Sequence, residues 1–294
     1  MAKVLAISSQ VVYGHVGNST AAFVLQRMGH SVLALPTVLL SNRPGYKAIA
    51  GERIGAAKLN AMLEAASGNG WLADVDAIMT GYIPTEEHAA LCKAWIAKVK
   101  ALNPAAIYLC DPIVGDEPAG IYIEEAAAHA IRERLVPLAD IVTPNRFELG
   151  WLAGRAVDDA AAALDAARVL DRPAVLATSA PAAAPDHLAN LLVEGSEAAA
   201  TVCPRETVHA RGTGDFFAAI FLAHRLNRLS NRAALQAATA AMRIVLEASK
   251  ARAELALIET QAAWAQTPPP LAPLVRPAGS PAPYAAGTDR TSRG

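Results

Sequence analysis

Apolar runs of β-type residues alternate along this chain with alanine-rich stretches of helical spacing. Residues 3–8, built on Val4-Leu5-Ala6-Ile7, read as a buried strand. Asn18-Ser19-Thr20 is placed to cap a helix reaching Met28, and 31–38 read as a second strand. A polar loop follows over 40–46 around Pro44-Gly45, then a helix over 55–66, a strand over 75–80, a helix over 85–100 and a strand over 106–110 ending at Asp111-Pro112. The pattern goes on with a helix over 124–135, a strand over 140–143 and strands over 173–178 and 188–194, and 213–264 read as almost wholly helical. Such alternation predicts a three-layer α/β/α sandwich with a mostly parallel central sheet. Polar residues gather where the strands end: Ser8-Ser9, Thr80-Gly81-Tyr82, Asp111, Thr143-Pro144-Asn145 and Thr178-Ser179. Ligands of open α/β sheets bind at that edge. From 267 onward the composition shifts to Pro, Ala, Gly and Ser, which cannot bury much apolar area. The expectation is one folded domain over 1–266 and a disordered Pro/Ala-rich tail over 267–294.

Composition narrows the function classes. The chain has 294 residues, 53% hydrophobic, enough for a sizeable core, and a formal net charge of −1, which suggests no basic face for nucleic acid. Cys92, Cys110 and Cys203 are widely spaced without a C-x-x-C, so neither a zinc site nor a disulfide framework is expected, and a reducing, cytoplasmic setting fits best. No charged leader precedes the first strand and no apolar run is long enough to span a bilayer, so neither secretion nor membrane insertion is expected.

The candidate chemistry centres on Arg211-Gly212-Thr213-Gly214-Asp215, which leads straight into the apolar run 216–222. Unpaired N–H groups at a helix start make an anion site, and glycines let the backbone come close to a ligand. Asp215 beside such a site is suited to take a proton from a hydroxyl as a phosphoryl group arrives. Taken alone, the same residues also describe a plain turn into a helix. Asp111, Asp116 and Glu148 are carboxylates at loop positions on one sheet edge, able to gather around a magnesium–nucleotide phosphate; singly, each is a turn or early-helix acid. Tyr13-Gly14-His15-Val16-Gly17-Asn18 is a glycine-relaxed loop but not a P-loop, since no Gly-Lys-Ser/Thr follows. Gly68-Asn69-Gly70-Trp71-Leu72-Ala73 fits the dinucleotide fingerprint only formally, because it follows a helix. The seven histidines show no metal-ligand spacing.

Taken together, Ser8-Ser9-Gln10-Val11-Val12-Tyr13-Gly14-His15-Val16-Gly17-Asn18, the loop 41–46, Thr80-Gly81-Tyr82, the segment 111–116, the segment 143–148 and Gly212-Thr213-Gly214-Asp215 resemble, in order, the ribokinase-like superfamily and within it the pyridoxal kinase family. The likeness runs from about residue 3 to about 250. It implies ATP-dependent phosphorylation of the 5′-hydroxymethyl group of pyridoxal, and often of pyridoxine and pyridoxamine, by a homodimer using Mg2+ and commonly K+. It implies Asp215 as the base and Gly212, Thr213 and Gly214 as the anion hole. Ser9 would bond the pyridine ring, with Val16, Val38 and Tyr82 as pocket walls. Asp111, Asp116 and Glu148 would stand around magnesium and phosphates, and Asn145, Thr178 and Ser179, with Thr213, on the nucleotide side. Tyr122 would lie in a flap between nucleotide and substrate. The chain departs from the family at Arg43-Pro44, where a His-Thr pair is common, which puts the preference among vitamers in question. Two other readings stand beside this one: a hydroxymethylpyrimidine kinase of the same fold, and a protein that binds pyridoxal phosphate without turnover.

Overall fold

A computed structural model describes residues 1–206, 210–266, 272–275 and 277. Side chains of β1 (Lys3–Tyr13) bury alternately to opposite sides: Val4 joins one apolar cluster, Leu5 and Ile7 another. A strand covered on both faces needs apolar residues at successive positions, which accounts for the unbroken run 4–7. The chain continues through α1 (Asn18–Arg27), β2 (Ser31–Asn42), β3 (Gly51–Arg53), α2 (Ala56–Gly68), β4 (Ala77–Thr80), α3 (Glu86–Leu102) and β5 (Ile107–Cys110). A small hairpin, β6 (Gly115–Asp116) and β7 (Gly120–Ile121), precedes α4 (Glu125–Ala130), which runs on into a wider turn over Ile131–Leu135. Then come β8 (Ile141–Val142), α5 (Arg146–Ala153), α6 (Ala160–Val169), β9 (Ala174–Pro181), β10 (His187–Glu194), β11 (Glu197–Pro204), α7 (Thr213–Leu226), α8 (Asn231–Ser249), α9 (Leu257–Trp264) and β12 (Leu274–Val275).

The main sheet runs β12-β11-β10-β9-β8-β5-β4-β1-β2-β3. Its central strands β9, β8, β5, β4, β1 and β2 are parallel, and the outer strands are antiparallel to their neighbours. One face is covered by α1, α7, α8 and α9, the other by α2 to α6. From β1 the chain winds first outward to β2 and then back past β1 to β4. The strand order therefore reverses between β1 and β4, and a crevice opens beyond their carboxyl ends.

The predicted sandwich is the one found, with several differences of detail. β1 and β2 extend beyond their sequence limits to Tyr13 and Asn42, so the expected loop 40–46 begins inside a strand. Asn18 is not a cap: Gly17 holds that position, and the buried Asn18 amide donates to the Ser8 and Leu35 carbonyls, pinning β1 to β2. The helical stretch after 213 is broken at 227–230 and 250–256. Within the expected disordered tail, Leu274 and Val275 pair with Thr201 and Ala200 of β11, and Ala272 is buried; this part of the expectation is corrected, and 267–271, 276 and 278–294 lie outside the described residues. Among the described residues no helix is long and apolar enough to cross a membrane.

Candidate active site

The site begins at the start of α7. Gly212 caps the helix at φ 93°, a backbone region that suits glycine, and a Cβ there would overlap the His15 carbonyl oxygen. The helical ladder opens with the Phe216 N–H donating to the Gly212 carbonyl, 2.9 Å. The N–H groups of Thr213 and Gly214 thus come before the ladder and are available to an anion, while that of Asp215 turns toward its own carboxylate. A Cβ on Gly214 would project into open space. Phe216 to Ala223 are all buried, so the helix presenting these amides is embedded in the core.

The loop between β1 and α1 crosses this helix start. Gly17, at φ 55°, lies so close to Ser9 that a Cβ would overlap the serine hydroxyl and carbonyl. The Gly17 N–H faces the Asp215 carboxylate. Burial pushes the Asp215 carboxyl up to about 6, against the opposing pull of the Gly17 N–H and its own.

Two further acids share this field. Asp111, 5% exposed at the end of β5, is pushed up to about 8 by burial and then by the charge of Asp215; the Thr143 hydroxyl, donating to Oδ1 at 2.8 Å, opposes this. Its Oδ2 has no hydrogen-bond partner among the described residues. Glu148 is buried in a capping box with Asn145: Oε2 accepts the Asn145 N–H at 2.9 Å and Oε1 the Val114 N–H at 3.1 Å. Burial and the neighbouring Asp111 push the Glu148 carboxyl up, while these backbone donors hold it down. Asp116 stands apart, paired with Arg211 at 3.4 Å, which joins the β6–β7 hairpin to the residue before Gly212.

On the substrate side, the Ser8 hydroxyl accepts the Tyr82 N–H at 3.0 Å and the Thr37 hydroxyl donates to the Tyr82 carbonyl at 2.7 Å. These bonds hold Tyr82 against β1 and β2, next to buried Val38. Burial raises the Tyr82 hydroxyl, whose other charged surroundings are Arg53 and Glu124. Val16 borders Gly212, 3.5 Å from where a Cβ would stand. On the other side, Thr178 bridges to Asn145, its N–H donating to the Pro144 carbonyl at 2.8 Å, and Ser179 adopts φ 54°. The Asn145 side chain accepts the Glu148 N–H at 2.9 Å and donates to the Gly115 carbonyl at 2.8 Å. Tyr122 follows β7, its N–H bonded to the Val114 carbonyl at 3.0 Å; half of its side chain is exposed, and it feels the charges of Glu148, Asp111, Asp215 and Asp116.

Part of the expected set falls into an arc, while Asp116 stands apart with Arg211, and Val38 and Tyr82 lie along β1 and β2. Ser9, Val16, Gly212, Thr213, Gly214 and Asp215 meet at the α7 start, Asp111 and Glu148 flank it, and Asn145, Thr178 and Ser179 form the far arm. Thr37 supports the site without being legible as a motif residue, and Thr143 and Asn18, though within motif segments, act through contacts the spacing does not show. Among the described residues no three of His, Cys, Asp and Glu are gathered to hold a metal directly. The donor set still suits magnesium bound chiefly by phosphates and water: Asp111 offers a buried, unpartnered oxygen, and magnesium keeps several waters beside one or two carboxylates.

The chain is similar along most of its length to known proteins. The family model described as phosphomethylpyrimidine kinase matches residues 30–256. Pyridoxal kinase PdxY of Leifsonia xyli subsp. xyli is 36% identical over 270 residues, 90% of this chain and 95% of that one. The pyridoxine/pyridoxal/pyridoxamine kinase of Bordetella avium is 37% identical over 241 residues, 80% of this chain and 81% of that one. The structure of pyridoxal kinase from Leishmania donovani in complex with ADP and pyridoxamine superposes with a TM-score of 0.87 at 32% identity, covering 94% of this chain and 99% of that one. The identity and the coverage, almost end to end on both sides, place the chain in the pyridoxal kinase family.

Proposed function

We propose that this enzyme transfers the γ-phosphoryl group of ATP to the 5′-hydroxymethyl group of pyridoxal, and of related B6 vitamers, within a catalytic unit spanning 1–266. The observation that carries this reading is the Asp215 carboxylate in the first turn of α7, beside the amides that precede the helical ladder. At neutral pH a carboxyl near 6 is mostly ionised, as a base must be. Asp215 takes the hydroxymethyl proton while the oxygen attacks phosphorus and ADP leaves, and the backbone of Gly212, Thr213 and Gly214 holds the phosphoryl oxygens as charge spreads over them. Ser9 bonds the ring, Val16, Val38 and Tyr82 enclose it, and Asn145, Thr178 and Ser179 line the nucleotide. The hairpin 115–122, with Tyr122 at its end, closes over the phosphates and excludes water. Magnesium, when bound with ATP, neutralises phosphate charge, with Asp111 and Glu148 facing it and Asp116 at the margin. A potassium ion near the phosphates, a homodimer and a cytoplasmic location complete the proposal.

The phosphomethylpyrimidine kinase model favours one second reading, a flat pyrimidine carrying the same CH2OH group. ATP consumption with Mg2+ and K+, measured in parallel on pyridoxal, pyridoxine, pyridoxamine and hydroxymethylpyrimidine, separates the two. Turnover of the vitamers supports the proposal; turnover of the pyrimidine alone replaces it. Binding of pyridoxal phosphate without turnover of any substrate points to a non-catalytic carrier.

A further inference from the structure

Away from the reacting groups, one buried carboxylate joins three segments distant in sequence. Glu254 lies between α8 and α9 with its side chain 11% exposed. Its Oε1 accepts from Arg43 Nε at 3.2 Å and from the Tyr46 hydroxyl, and its Oε2 accepts the His15 N–H at 3.1 Å. A Cβ on Gly14 would stand 2.8 Å from the same Oε2, so that glycine makes room for the carboxylate. Arg43 goes further: Nη2 donates to the Ala253 carbonyl at 3.1 Å, and Cζ lies 4.9 Å above the Tyr46 ring, which meets Tyr13 edge-on at 6.0 Å. Both loops held this way run into the site. Beyond His15 come Val16, Gly17 and the contact with Gly212; before Arg43 runs the strand carrying Thr37 and Val38.

We propose that Glu254 is a positioning residue that clamps the two substrate-side loops together, with Arg43 as the charged arm of this clamp. The proposal rests on the kinase reading above. The clamp has two arms of different chemistry. The Arg43–Tyr46 arm needs the carboxylate charge, and the His15 arm needs only an acceptor oxygen. If the loops are ordered in fewer molecules, apparent affinity for the vitamer falls by that fraction.

The test compares full-length wild type with Arg43→Ala, Glu254→Gln and Glu254→Ala. It reads steady-state constants for each vitamer and for ATP, calorimetric Kd for pyridoxal, and Tm. Arg43→Ala and Glu254→Gln are expected to behave alike, raising the vitamer KM and Kd about tenfold, with kcat and the ATP KM within about twofold of wild type. Glu254→Ala, which also frees the His15 loop beside Gly212, is expected to lower kcat about tenfold in addition. A Glu254→Ala enzyme that loses Tm but keeps vitamer KM and Kd within about twofold overturns the clamp, as does an ATP KM that rises as much as the vitamer KM. Wild type that binds pyridoxal without turnover refutes the kinase reading, and the Kd comparison then decides the clamp alone. Wild type that neither binds nor phosphorylates any vitamer refutes both.

Discussion

Replacing each glycine of the α7 start by alanine separates two roles that the sequence motif merges. Gly212 sits at φ 93°, where an L-residue with a Cβ costs about 1–2 kcal/mol. The added methyl also overlaps the His15 carbonyl, a backbone atom that moves only with its loop. Forcing a methyl group into packed structure adds about 1–3 kcal/mol. The sum, about 2–5 kcal/mol, corresponds to a Tm fall of roughly 5–15 °C in a domain of this size. The displaced loop carries Val16 and the Gly17 N–H that faces Asp215, and a misplacement of about 1 Å at such a site costs about a hundredfold in rate. Gly214→Ala has the opposite profile. Its Cβ meets nothing, and alanine is the better helix residue, so Tm is expected to hold or rise. The methyl group then occupies the space an anion needs, and kcat/KM for ATP is expected to fall at least about tenfold. Thermal unfolding and steady-state kinetics on the two purified variants measure both quantities. A Gly212→Ala enzyme with Tm within about 2 °C and kcat within about twofold of wild type would refute the reasoning.

Asp215→Asn is expected to lower kcat by about a hundredfold or more, the usual size of a general-base contribution, with ATP binding retained in a nucleotide titration. In the wild type, kcat/KM is expected to fall about tenfold per pH unit as pH drops below about 6, where Asp215 takes up its proton, and this limb should be missing in Asp215→Asn. Stability carries the opposite sign: the fold keeps the Asp215 proton up to about 6 while an unfolded carboxyl loses it near 3.8, so this group makes unfolding easier as pH rises through that window. Denaturant titrations across that range should show the slope in wild type and a weaker one in Asp215→Asn. Thr37→Val leaves the Tyr82 carbonyl without its 2.7 Å donor and is expected to destabilise by about 1–3 kcal/mol, with a raised vitamer KM.

The sandwich was legible because strands buried on both faces and helices buried on one leave different periodicities. The strands that escaped notice are those whose signal is local. β3 is three exposed residues, Gly51–Arg53, and β12 is two residues inside a proline-rich stretch. β11 had a readable cue, the Gly195-Ser196 turn between Glu194 and Glu197, with Gly195 at φ 56°. Asn18 looked like a cap because asparagine favours caps; instead, a tertiary demand for a donor between Ser8 and Leu35 placed it one residue inside the helix. In the site, the residues that adjoin a strand end or a helix start could be read from the motif order. Those that act through side-chain contact across the sheet could not: nothing in the spacing of Thr37 and Tyr82, of Thr143 and Asp111, or of Arg43 and Glu254 announces that they meet.

The burial of α7 has a consequence for how the two sides of the cleft move. Its residues Phe216 to Ala223 are packed between α1 and α8, so their amide protons can reach solvent only when the whole domain opens. The hairpin proposed to close over the phosphates is tied by two pairs, Gly115 with Ile121 and Asp116 with Gly120, and can open by itself. Deuterium uptake should therefore divide the catalytic cleft sharply, with the helix that carries the base exchanging at the rate of global unfolding and the cover over it exchanging many orders of magnitude sooner. Nucleotide would then slow exchange on one bank only.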